Sequence, residues 1–171
     1  MPSPSKTRAF SLLELVVSIS ILSILAAVAL PHLTQHLASA RDARRLQDVK
    51  NVKQAIDQYF LDHQAYPPVG TSGPGGWDVS TDGDFIPALV QSGYLASVPM
   101  DPLNTGNYAY YYYVYPQGSY GCASEGEFYV LGVKSFETAD CAARNAGWFQ
   151  CSGRDWNDTL AYVTGGGASF Q

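Results

Sequence analysis

The 171 residues suffice for one folded domain with an appendage, and 46% hydrophobic against 15% charged side chains exclude a disordered chain. The net charge is -5; without Lys6 and Arg8, eight basic side chains face fifteen acidic ones, leaving -7. An acidic chain of this kind has no electrostatic footprint for wrapping nucleic acid, so no specific nucleic-acid partner is indicated.

Residues 1–9, MPSPSKTRA, are polar and basic. Phe10–Leu30 then runs FSLLELVVSISILSILAAVAL, with sixteen apolar residues out of twenty-one. As a helix this segment measures about 31 Å, enough to cross a hydrocarbon core. Glu14 is its one charge. A carboxylate in the span costs about 3 kcal/mol, whereas thirteen strongly apolar residues contribute roughly 4–8 kcal/mol toward insertion, so the segment still enters a membrane. An acid held there without a partner is expensive and marks a functional position. A secretory signal ending at Ala27-Val28-Ala29 and a plain single-pass anchor are the simpler readings. Neither explains a charge four residues into the apolar run.

No glycine interrupts the chain from Phe10 to Asp62, and the pattern predicts one long helix. Pro31 removes one backbone N–H and is expected to bend it near Ala27. Leu46, Val49, Val52, Ile56, Tyr59 and Phe60 form the stripe of a face packed on a sheet. His32 and His36, at i and i+4, read as polar surface residues, for no carboxylate lies near enough in sequence to complete a metal site. Arg41, Arg44 and Arg45 read as a solvated face paired with Asp42 and Asp48.

Tyr66-Pro67-Pro68 and the glycines that follow end the helix. Phe85–Tyr94 predicts a small helix. Tyr108–Tyr115 and Glu127–Val133 predict two antiparallel strands joined by a turn within Gly118–Gly126. The tyrosines of the first strand should alternate faces, half of them packing on the helix. Phe136–Ala143 reads as a helical turn and Thr159–Thr164 as a last strand. The class is α+β. Cys122, Cys141 and Cys151 lack C-x-x-C spacing, which argues against a thiolate metal site. Outside the cytoplasm they would leave one disulfide and one thiol. Cys141–Cys151 is the favoured pair, its short loop giving roughly 3 kcal/mol, with Cys122 the alternative partner of either. No catalytic or nucleotide-binding motif occurs, so no enzyme is indicated.

The basic leader ending at Ala9, the run Phe10-Ser11-Leu12-Leu13-Glu14-Leu15-Val16-Val17 and Pro31 beyond it resemble the class III signal of type IV prepilins and type II secretion pseudopilins. Farther along, GYLASVPMDPLN, the tyrosine-rich strand and EGEFYVLGV are similar in order to the layout of the major pseudopilins. The resemblance implies a type IV pilin-like fold: leader 1–9, a membrane-spanning or filament-core half-helix 10–30, an amphipathic half 31–62, and a globular head with an antiparallel sheet over 63–171. It implies that a prepilin peptidase cuts between Ala9 and Phe10 and methylates the new amino group. Ala9 stands where the family usually has glycine. By the same resemblance Glu14 meets the amino terminus of a neighbouring subunit, and Pro31 marks where the helix loosens in a filament. The implied partners are further copies of the chain, the peptidase and an inner-membrane assembly platform. The implied location is a single pass through the cytoplasmic membrane with the head outside, then a periplasmic or extracellular filament. Calcium binding in major pseudopilins implies Asp101, Asn104 and Asn107 as ligand candidates. The rival reading is a membrane-anchored extracytoplasmic binding domain with no filament role.

Overall fold

Residues 10–62 contain no glycine, and they fall almost entirely within helix α1, Leu12–His63. The computed structural model of the chain describes residues 10–70, 73–144 and 150–169. Two units separate between Leu37 and Ala38. Among the described residues the first holds Phe10, Ser11 and the early part of α1; the second begins with the remainder of that helix.

In the second unit, the four-stranded antiparallel sheet has the order β1-β2-β3-β6, where β1 is Asp78–Val79, β2 Tyr110–Tyr115, β3 Ala123–Val133 and β6 Tyr162–Ser169. A separate hairpin pairs β4, Gln150–Cys151, with β5, Arg154–Asp155. Two short helices, α2 at Pro87–Gln91 and α3 at Ala139–Arg144, lie in the connections. The small helix, the two long strands and the helical turn expected from the sequence are all present. The edge strand β1 and the β4–β5 hairpin are too short to carry a period, and the sequence reading missed them.

Pairing of Tyr112 with Leu131 and Tyr113 with Val130 sets the register on which both faces depend. Because side chains alternate along a strand, Tyr110, Tyr112, Tyr129, Leu131 and Val133 face one way and pack with Val49, Val52, Ala55 and Ile56 of α1. Tyr115, Phe128 and Val130 face the other way and pack with Trp156, Leu160 and Val163. A strand covered on both sides reads as a continuous apolar run, and residues 128–133 of β3 are all buried.

The disulfide differs from the expected pair. Cys122 is joined to Cys151, with Cα atoms 5.0 Å apart, and Cys141 on α3 stands outside it. The cause is tertiary. Gly153 N–H donates to Tyr120 O at 2.9 Å, bringing the β4–β5 turn against the start of β3, where Cys122 shares a core with Trp156 and Phe128. The 29-residue separation corresponds to roughly 3.5 kcal/mol of loop-closure stabilisation.

Asp78 is fully buried at the sheet edge. Its Oδ2 accepts the N–H groups of Gly70 at 3.0 Å and Ile86 at 3.1 Å, while Oδ1 has no hydrogen-bond partner among the described residues. A side chain at Gly70 would place its Cβ 2.8 Å from Asp78 Oδ2, so glycine permits the approach. The bond also holds Ile86 at φ 46°, a region that β-branched residues avoid. Burial pushes the Asp78 carboxyl above its ordinary value, the two N–H donors oppose this, and Asp82 and Asp84 add to the rise. An acid whose folded pKa is raised takes up its proton earlier in the folded chain, so its protonation stabilises the fold. The expected result is a wild-type head whose melting temperature gains on that of Asp78→Asn as the pH falls from 7.5 through the folded pKa. Parallel melting curves for the two proteins at every pH would exclude it.

Candidate functional site

Residues 12–30 present apolar side chains on every side of the helix: Leu12, Leu13, Leu15, Val16, Val17, Ile19, Ile21, Leu22, Ile24 and Leu25 are all exposed. A helix apolar all round needs either a protein core or lipid about it. Its serines do not spoil that property. The hydroxyls of Ser18, Ser20 and Ser23 donate to the carbonyls of Glu14, Val16 and Ile19 at 2.7–2.8 Å, so these donors are satisfied inside the helix. By length and composition α1 is able to cross a membrane.

Glu14 lies in the first turn of α1, where a carboxylate is favoured by the unpaired N–H groups of the helix start. It is the only Asp, Glu, Lys or Arg between positions 10 and 37. Phe10 precedes the helix and is 81% exposed. Ala9, the other half of the expected cleavage pair, lies outside the described residues. Pro31 falls within α1, and His32 and His36 are exposed, as read from the sequence.

A second cluster, in the head, departs from the sequence reading. Asp42 and Arg45 belong to no solvated face; they are 1% and 0% exposed. They precede Val49 by seven and four residues and so extend the buried stripe of Val49, Val52 and Ile56 by about two turns. That register was a usable signal, masked by the charge of the residues carrying it. The Arg45 guanidinium donates from Nε and Nη2 to Asp101 at 2.6 and 3.0 Å, and from Nη1 to Asp42 at 2.6 Å and Glu137 at 2.8 Å. The Tyr108 ring lies 4.8 Å from its centre. Arg41 grips Glu137 as well. Burial works against the charge of Arg45, but the hydrogen bonds to Asp101, Glu137 and Asp42 outweigh it and raise its pKa above the ordinary value.

The proposed calcium ligands are not assembled for calcium. Asp101 Oδ1 accepts Arg45 and the N–H groups of Leu103 and Asn104, and its Oδ2 accepts Arg45 again. Asn104 Oδ1 accepts the Ser80 hydroxyl at 3.2 Å. Asn107 is exposed in the turn closed by Thr105 and Tyr108. Among the described residues no group of three or more His, Cys, Asp or Glu side chains is placed to hold a metal ion.

Residues 4–30 match the family described as the prokaryotic N-terminal methylation motif. The chain is similar to the type II secretion system core protein G of Escherichia coli (strain K12), 29% identical over 106 residues that cover 60% of this chain and 70% of that protein. It is 30% identical to the protein of the same name from Pseudomonas aeruginosa, over 54% of this chain and 66% of that one. A fimbrial protein of Neisseria meningitidis serogroup A is 28% identical over 58% of this chain and 59% of its own length. The alignments thus span between 59% and 70% of these curated relatives. No solved structure matches the chain.

Proposed function

We propose, from the premise that this chain is a prepilin-type protein homologous to type IV pilins and type II secretion pseudopilins, that it is the structural subunit of a pilus-like or secretion filament. The observation that carries the reading is an all-round apolar helix start whose single charge, Glu14, sits in its first turn. Before assembly, residues 10–30 lie in the cytoplasmic membrane, the leader faces the cytoplasm and the head folds outside. The peptidase cuts between Ala9 and Phe10, and the freed, methylated amine is a cation at the edge of the apolar segment. Glu14 of one subunit meets that amine on the next, so each supplies the partner the other lacks. In the filament the apolar helices exchange lipid for one another, with Pro31 as the point where the helix yields. An assembly platform in the inner membrane supplies the work of extraction.

Intact mass and N-terminal sequence of the mature protein, isolated from cells, test this directly. The expected chain starts at N-methylated Phe10. A chain that keeps Met1 overturns the processing and favours a membrane-anchored domain with no filament role; one that starts at Leu30 indicates an ordinary secretory signal.

A further inference from the structure

Resemblance to the major pseudopilins implies a calcium ion near residues 101–107, and the donors in that region do not fit one. Every carboxylate oxygen of Asp42, Asp101 and Glu137 already accepts a proton donor of the protein. Asp42 takes Arg45 and the Glu137 N–H on Oδ1, and the Thr138 N–H and hydroxyl on Oδ2. Glu137 takes Arg41 and Arg45 on Oε1 and Arg41 on Oε2. Asp101 divides its two oxygens between Arg45 and two backbone N–H groups. Calcium would require six to eight oxygens at about 2.3–2.6 Å, and these oxygens are spent on nitrogen.

We infer that Arg45 is the built-in cation of the head: its guanidinium joins three carboxylates from separate segments, so the head needs no calcium to hold its shape. The three acids come from separate parts of the chain, α1, the loop before β2 and the loop before α3. Any cation among them therefore ties those loops to the helix, which is the structural work a bound metal does. A tethered guanidinium does it with fixed, planar geometry and without dependence on metal supply.

The test uses the full-length chain in detergent, melted in EDTA and then in about 5 mM calcium chloride, above the dissociation constants of weak extracellular calcium modules. The wild-type melting temperature should not move, whereas a metal in large excess over its Kd would raise it by roughly 5–10 °C. Arg45→Ala should melt lower than the wild type in EDTA and in calcium alike; should it fail to fold, Arg45→Lys, which keeps one positive charge but not the planar fork, should fold and melt below the wild type. A calcium-stabilised wild type overturns the inference, as does an Arg45→Ala or Arg45→Lys chain that melts with the wild type. None of these outcomes depends on filament formation, which the mature N-terminus tests separately.

Discussion

Arg45→Met destabilises the head by about 3–5 kcal/mol, the usual cost of removing one partner from a buried charge cluster. For a domain of this size that is a fall of roughly 10–20 °C in melting temperature. The methionine keeps most of the volume, so the loss is electrostatic: Asp42, Asp101 and Glu137 keep their burial and lose their common donor. Arg44→Met is the matched control. Arg44 is 65% exposed and meets Asp48 at 3.5 Å, so its removal costs at most about 0.5 kcal/mol. Similar melting temperatures for the two variants would mean that the buried cluster does not hold the head together. Acid weakens the same cluster in the wild type. Glu137 is held down to about 2, chiefly by its hydrogen bonds with Arg41 and then by Arg45, against the opposing effect of burial. Its contribution is complete above the unfolded value of 4.5 and is lost as the pH falls toward 2. Acid below pH 4 therefore removes stability through Glu137, in the opposite sense to the gain from Asp78.

Glu14→Ala is expected to leave the protein in the membrane and nearly abolish filaments. Removing the carboxylate spares about 3 kcal/mol of insertion cost, so the membrane pool should be undiminished. On the proposed docking, what disappears is the pair between Glu14 and the amine of the next subunit. A lost pair of that kind, worth 3 kcal/mol or more, lowers the association constant about a hundredfold. Sheared filament yield measured against the membrane-bound pool separates the two effects. Glu14→Gln, which keeps the shape and removes the charge, should behave like the alanine variant. Normal filament yield in either variant would end the docking role of Glu14.

Much of this was legible in the residues. The apolar run with its one acid, the stripe at Val49, Val52 and Ile56, and the alternating tyrosines of β2 are statements about single elements. The period of a helix or strand dictates which side chains share a face, and it is written in consecutive positions. The sequence by itself therefore determined the membrane-competent helix, the motif at its start and the helix-on-sheet class. Tertiary structure alone decided which cysteine pairs with Cys151, 29 residues from its partner, and that Arg45 meets Asp101 and Glu137, 56 and 92 residues away. Such contacts depend on sheet register and on the paths of loops that carry no period. The same charges that look solvated along the chain become a buried knot when those loops close over α1.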